Sequence, residues 1–189
     1  MRGTHQQGKG MVPMRVEFIN PFIVAAYEVL QWEVQARVSK GPVSIKKSSC
    51  TSRDVTVVIG VTGEVEGAVF YEMTEKTARN LASVMMGTNV VVFDTMAESA
   101  IAEMGNVITG RASAGLEAAG FRCLITPPTI IVGRGVVIST LDFSRLVVEL
   151  ETQYGGIEIN VALREKIKGA AMPEFRLVEL RRGRSRPGP

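Results

Sequence analysis

The amino-acid sequence predicts an α/β protein of the α+β type, in which long helices pack on an antiparallel sheet to form two layers. Three observations lead to this fold class. Apolar residues make up 46% of the chain and charged residues 22%, which is a globular composition. Val-rich segments come in pairs joined by short Gly-containing turns, as in antiparallel hairpins. Helix and strands recur in a second set, which predicts two similar halves without the alternation of a Rossmann fold.

The first half is predicted to begin with a helix and to continue with a hairpin. Asn20-Pro21-Phe22 is typical of a helix start, with asparagine as the N-cap and proline at the first helical position. This helix is expected to reach about Arg37. The segments 52–60 and 64–74 are rich in Val and aromatic residues and predict a hairpin through Val61-Thr62-Gly63. A further helix is expected over Glu75–Met86, where helical periodicity stops at Gly87.

The second half is predicted to contain a short strand, a helix of about 25 residues and two longer β segments. These are expected at Val90–Phe93, Asp94–Gly120, Thr129–Thr140 and Ser144–Ala162. Thr95 and Glu98 have the spacing of a capping box, and Gly120 suits the position just after a helix. Pro127-Pro128 interrupts the β stretch, and Tyr154-Gly155-Gly156 predicts the turn of a second hairpin.

Composition at the two ends indicates one folded domain between two tails. Residues 1–13 are polar and Gly-rich, so we expect a disordered leader. Residues 14–165 are expected to form the domain, and residues 166–189 a basic extension of uncertain order. The net positive charge belongs to the two ends, since residues 1–16 carry +3 and residues 164–189 carry +5, whereas the segment 17–163 carries a net charge of −5. An acidic core argues against a nucleic-acid-binding surface, and no apolar run approaches the length of a membrane span. A cytoplasmic location is expected.

Residue counts exclude several kinds of active site. The single histidine, His5, lies in the predicted leader, so a histidine-assisted nucleophile or a histidine zinc site is not expected. The three aspartates are scattered, which disfavours a carboxylate cluster for magnesium. Cys50 and Cys123 are far apart and indicate two reduced thiols. Any metal that the chemistry uses is therefore expected to arrive with the substrate, and no cofactor is expected on this chain.

One face of the predicted long helix carries a narrow polar stripe. At 100° per residue, with Ser99 at 0°, Glu103 falls at about 40°, Asn106 at about 340° and Gly110 at about 20°. The opposite side, between about 80° and 220°, carries Ala97, Ala100, Ile101, Met104, Val107, Ile108 and Ala112. Polar residues on an outer helix face are usually only solvated. Asparagine and glycine are poor helix formers, however, and their presence on this stripe favours a surface where another backbone docks.

The segment Ser99-Ala100-Ile101-Ala102-Glu103-Met104-Gly105-Asn106, followed by Pro127-Pro128, resembles the signature of the CheC/CheX/FliY phosphatases. The opening segment 14–22 also resembles members of the CheX branch. The resemblance covers about residues 14–164 and implies the CheC-like fold. It implies an enzyme that removes phosphate from the aspartyl phosphate of the response regulator CheY, with magnesium bound by the phosphorylated partner.

The resemblance also implies residue roles. Glu103 would pair with a lysine of the CheY receiver domain and hold the docked pose, and Asn106 would orient the attacking water. Ser99, Gly110, Pro127 and Pro128 would contact the partner. Phosphoryl transfer depends mainly on positioning and charge stabilisation, and one carboxamide can both donate to and accept from a water molecule.

The first helix departs from the two-site pattern of CheC-type members. It carries Glu28-Val29-Leu30-Gln31 where those members have a second Glu-x-x-Asn. Glutamine is one methylene longer, and a displacement of about 1 Å can cost on the order of 10²-fold in rate. We therefore interpret this helix as structural. The alternative for the whole chain is a non-catalytic CheY-binding or flagellar-switch-like module of the same fold.

A homodimer is also expected from the sequence. The segments 136–140 and 144–162 are long and Val/Ile-rich, and a bare strand edge invites pairing with another chain. The predicted contact lies in the β region and leaves the stripe of each chain open to its own receiver.

Overall fold

A computed structural model describes residues 15–46, 49–139 and 144–166. The predicted leader and nearly all of the basic extension lie outside the described residues. After a short 3₁₀ turn at Val16–Phe18, the elements follow in this order: α1 (Asn20–Glu33), β1 (Ser39–Lys40), β2 (Ser44–Lys46), β3 (Ser49–Thr51), β4 (Val55–Gly63), β5 (Val65–Met73), α2 (Glu75–Met86), α3 (Thr95–Ala118), β6 (Cys123–Ile125), β7 (Thr129–Val132), β8 (Val137–Ser139), β9 (Arg145–Thr152) and β10 (Gly155–Glu165).

The predicted antiparallel sheet is confirmed. Its strand order is β1-β9-β10-β5-β4-β6, with β2 also pairing with β9 and β7 also pairing with β4. Strands β3 and β8 form a separate small sheet. The helices contribute to one core with the inward-facing strand residues. A smaller cluster of Phe70, Ala68 and Ala162 lies apart from this core, with Ile138 of β8 packed against it.

The two predicted halves are visible in the pairing pattern. In the first half α1 precedes β1–β5, and in the second half α3 precedes β6–β10. The edge strands are exchanged, since β1 and β2 of the first half pair with β9, whereas β6 and β7 of the second half pair with β4. The central strands β5 and β10 pair along their length, from Val65 opposite Glu165 to Met73 opposite Ile157. By this correspondence, Glu28 and Gln31 of α1 are the counterparts of Glu103 and Asn106 of α3.

Helix α1 differs from its predicted limits at both ends. Its N-cap is Ile19, and no side chain caps it, so the prediction of Asn20 as N-cap is wrong. It ends at Glu33 because Gln35 adopts a left-handed conformation with φ +51°. The Ala36 amide then donates to the Leu30 carbonyl at 2.8 Å, which closes the helix. Helix α2, in contrast, has the predicted limits and ends at the left-handed Gly87.

Both hairpins are confirmed, but their turns are displaced from the predicted residues. Strand β4 continues to Gly63, so the first hairpin turns at Glu64, and β10 already begins at Gly155, so the second turns at residues 153–154. The predicted strand 129–140 is divided into β7 and β8, which belong to different sheets.

Two further predictions about strands are wrong. Val90–Phe93 is not a strand, because its polar backbone atoms bond to α2 instead: the Val90 amide donates to Ser83 Oγ at 2.9 Å, and the Val91 carbonyl accepts from Arg79 at 2.6 Å. The segment 144–162, expected to offer a bare edge, lies inside the sheet as β9 and β10 with a partner on each side. The edges of the large sheet are β1/β2 and β6/β7.

Candidate active site

The start of α3 is set by an aspartate. Asp94 is the N-cap, with an extended backbone and a side chain that accepts from the Ala97 amide at 3.0 Å. The predicted Thr95/Glu98 capping box is therefore wrong by one residue. At the other end, Gly120 has φ +92° and the Phe121 amide donates to the Leu116 carbonyl, which is the geometry of a Schellman motif. These two caps fix the length of the helix that carries the stripe.

Contacts beneath α3 fix its rotation about its own axis. Gly105 lies so close to the sheet that an added Cβ would be 3.0 Å from Val57 Cγ1 and 3.2 Å from Tyr71 Cδ2. The buried Tyr71 hydroxyl and Thr109 Oγ1 are 2.8 Å apart, and Thr109 also donates to the Gly105 carbonyl at 2.8 Å. Helical periodicity alone did not predict Thr109 as a buried contact. Together these contacts turn the opposite side of α3 toward solvent.

The predicted stripe lies on that outer side. Ser99 and Glu103 are exposed, and Asn106 and Gly110 are partly exposed. Asn106 Nδ2 donates to Glu103 Oε2 at 3.4 Å, so the acid and the amide are brought together. This distance exceeds the usual 2.7–3.2 Å of an N–H···O bond, so little free energy is lost when the amide turns to a new partner. Ser99 Oγ donates to the Thr95 carbonyl within the helix at 2.8 Å.

Gly110 leaves open space one turn after Asn106. A Cβ built at this position would have no atom within 4 Å. The glycine therefore makes no internal close contact, unlike Gly105 on the same helix. Since glycine costs about 1 kcal/mol relative to alanine in a helix interior, its presence here has no explanation within the fold.

Helix α1 runs antiparallel beside α3. A Cβ on Gly115 would be 3.1 Å from Cβ of Pro21, near the start of α1. Arg111, earlier in α3, lies 3.7 Å from both Glu28 and Glu33, later in α1. These exposed ion pairs are individually weak, but they connect the two helices beside the stripe. A single arginine on a helix gives no sequence signal for such a connection.

The two prolines of the predicted site lie elsewhere. Pro127 and Pro128 connect β6 to β7, which both pair with β4. The preceding Thr126 bonds Gly60 of β4 through both its amide and its hydroxyl. The prolines are therefore in the sheet layer, whereas the stripe faces away from the sheet. Their role in partner binding remains a prediction.

The described residues form no metal-binding cluster at the stripe. In the described ranges, no group of three or more His, Cys, Asp or Glu side chains is placed to hold a metal ion. The Arg134 side chain, hydrogen-bonded to Asp54, lowers the pKa of that carboxyl, and burial raises the pKa of Tyr71. Neither group belongs to the stripe. None of the helices that the structure describes is long and apolar enough to cross a membrane.

Comparison with known proteins gives consistent matches. The family model described as "Chemotaxis phosphatase CheX" matches residues 55–151. The CheY-P phosphatase CheX of Thermotoga maritima is 32% identical over 128 residues, which are 67% of this chain and 83% of that protein. The CheX of the CheX–CheY–BeF₃–Mg²⁺ complex from Borrelia burgdorferi is 32% identical, with a TM-score of 0.70 over 80% of this chain and 100% of that one. Chemotaxis protein CheX from Desulfovibrio desulfuricans, 24% identical, shares the fold with a TM-score of 0.72 over 80% and 100%.

The fold and the outward-facing acid–amide pair define a CheC-like α+β domain whose conspicuous polar groups lie on a helix surface. The family match and the relatives that are 32% identical are more specific. The chain belongs to the CheX family of chemotaxis phosphatases. The enzyme class predicted from the sequence, a phosphatase, is confirmed.

Proposed function

We propose that the chain dephosphorylates the aspartyl phosphate of a CheY-type receiver domain in the cytoplasm, with Glu103 as the docking residue and Asn106 as the residue that orients water. The observation that carries this proposal is the Glu103–Asn106 pair, 3.4 Å apart on the outer side of α3. Further support comes from the Borrelia burgdorferi structure, which is a complex of CheX with CheY, BeF₃ and Mg²⁺.

In the proposed reaction, the receiver supplies the phospho-aspartate, the magnesium ion and a lysine. Glu103 forms an ion pair with that lysine, which places Asn106 over the phosphorus atom. The Asn106 amide leaves its long bond to Glu103 and holds one water in line with the bond to be broken. The water oxygen attacks phosphorus and the bond to the aspartate oxygen breaks, yielding inorganic phosphate and a free carboxylate. Such positioning supplies much of the rate in phosphoryl transfer.

The test is phosphate release from a phosphorylated receiver domain in the presence of magnesium. Asn106→Ala is expected to lower kcat by about 10²-fold or more, because the water loses its positioning group. Glu103→Ala is expected to raise KM and to slow turnover. Both side chains project from the outer face, so circular dichroism and thermal unfolding should match those of the wild type.

Gln31→Ala is the matched control, because it removes an exposed amide from the corresponding position of α1 and is expected to leave kcat unchanged. Full activity of Asn106→Ala would refute the water-orienting role. A receiver that binds the wild-type protein without any gain in phosphate release would favour the non-catalytic module.

A further inference from the structure

Large apolar side chains are concentrated around the stripe. Among the described residues, six such side chains are more than two-thirds exposed, and four of these lie in the helix layer. The four are Trp32, Val91, Val92 and Met96. Ile45 and Leu124 lie on the edge strands β2 and β6. Exposed apolar groups that cluster beside polar functional groups mark interaction surfaces more often than scattered single residues do.

Met96 belongs to the stripe itself. With Ser99 at 0°, Met96 falls at about 60° and Glu103 at about 40°, so the two side chains project from nearly the same side of α3. They are seven residues apart, or about 10 Å along the axis. Met96 is 69% exposed, and Val91 and Val92 lie just before it in the connection from α2. The N-terminal end of the stripe is therefore apolar.

Trp32 lies beside the acid–amide pair, on the side of α1. One ridge of α1 is formed by Pro21, Glu28 and Trp32, because Glu28 follows Pro21 by seven residues and Trp32 follows Glu28 by four. Pro21 packs near Gly115, and Glu28 pairs with Arg111, so this ridge faces α3. Pro21 lies beside Gly115, and α1 runs antiparallel to α3. Moving eleven residues forward along α1, from Pro21 to Trp32, therefore corresponds to moving eleven residues back along α3 from Gly115. This places Trp32 level with residue 104, between Glu103 and Asn106, with 77% of its surface exposed.

We propose that Trp32 and Met96 are the two apolar anchors on which the phosphorylated receiver docks, with Trp32 beside the Glu103–Asn106 pair and Met96 beyond its N-terminal end. The proposal rests on the proposed function and adds a docking surface to it. Neighbouring helix axes are about 8–10 Å apart, so both anchors lie within about 15 Å of the pair. That is the scale of a patch of about 800 Å² per partner. Aromatic and Met side chains are enriched in the cores of such patches, where a few residues carry most of the binding energy.

Trp32 provides its own reporter, because it is the single tryptophan of the chain. The test uses the full chain and a tryptophan-free receiver domain saturated with beryllofluoride and Mg²⁺, which mimic the phosphorylated state. Titration is expected to shift the Trp32 emission to the blue as the indole leaves water. The Asn106→Ala variant should show the same shift, since docking does not need the water-orienting amide. An unchanged Trp32 emission at saturating receiver would refute the docking surface. A blue shift that depends on protein concentration in the absence of receiver would also refute it, because it would show that a second copy of the chain covers this face.

Kinetics separate docking from chemistry. Trp32→Ala and Met96→Ala are each expected to raise KM about tenfold with kcat within twofold of wild type, and Trp32→Phe should recover most of the loss. Leu124→Ala removes a similarly exposed side chain, 73%, from β6. Its neighbours Cys123 and Ile125 face the helix-side core, so Leu124 faces away, and this variant is expected to keep the wild-type KM. If Trp32→Ala and Met96→Ala both keep the wild-type KM, these residues are not docking anchors. If Asn106→Ala loses kcat in the same experiment, the proposed function still stands.

Discussion

Gly110→Ala is expected to make the protein more stable and less active. Helix α3 continues on both sides of this position, and a Cβ there meets no atom within 4 Å. The substitution thus gains the helix propensity of alanine, about 0.5–1 kcal/mol, without overpacking. For a domain of this size such a gain raises Tm by about 1–4 °C, which thermal unfolding followed by circular dichroism would detect.

Activity is expected to change in the opposite direction. Gly110 follows Asn106 by one turn on the same stripe, so its added methyl group projects toward the docked receiver. If a receiver backbone packs against this glycine, kcat/KM for phosphate release should fall by about tenfold, a loss of about 1.4 kcal/mol. A variant with higher Tm and unchanged kcat/KM would refute the idea that Gly110 clears room for the partner.

Gly105→Ala is the matched control within the same helix. It gains the same propensity, but its Cβ would lie 3.0 Å from Val57 and 3.2 Å from Tyr71. Overpacking of this kind costs about 1–3 kcal/mol, so a lower Tm is expected. An increase in Tm for Gly105→Ala together with a decrease for Gly110→Ala would contradict the packing of α3 described above.

Three further expectations concern charge, α1 and assembly. The hydrogen bond from Arg134 lowers the pKa of Asp54 in the folded state. The stability that the ionised Asp54 contributes is therefore present above its ordinary pKa of about 3.9 and is lost as pH falls through the folded-state pKa. Asp54→Asn should reduce this loss of stability at low pH, measured as the free energy of unfolding from pH 7 to 2. Glu28→Ala and Gln31→Ala should leave kcat within twofold in phosphate-release assays, and a large loss from either would indicate a second active site. We also predict a homodimer that binds two receivers and whose contact in the β region lies at an outer edge of the sheet, since β9 and β10 are paired on both sides. Light scattering should give about twice 20.5 kDa, and a single 20.5 kDa species at micromolar concentration would contradict the dimer.

The elements predicted best are those whose signals are local. The limits of α2 follow from Thr74, whose side chain caps the helix, and from Gly87, whose left-handed conformation ends it. Hairpins were found because a turn and two Val-rich segments are adjacent in the chain. Val90–Phe93 was predicted wrongly because strand composition does not reveal whether a partner strand is available. The position of β9 inside the sheet likewise depends on β1 and β2, and that of β10 depends on β5, all of which are distant in the chain.

The same distinction holds for the site. The 3.6-residue period of α3 was enough to bring Ser99, Glu103 and Asn106 to one outer face. It could not show that Arg111 connects α3 to α1, because that contact joins helices far apart in sequence. The level of Trp32 beside the pair depends on the same helix packing. Residue type and period thus predict which groups share a helix face, whereas neighbours from other elements require the tertiary structure.

The exchanged edge strands make the two halves depend on each other for folding. Strands β1 and β2 complete the sheet on β9, and β6 and β7 complete it on β4, so unfolding of either half would strip backbone hydrogen bonds from the other. Neither half is then a stable unit, and the described domain should melt in one cooperative transition. A chain cleaved in the exposed connection 88–93 should, for the same reason, reassemble from its two fragments, since each fragment carries the border strands that the other one lacks.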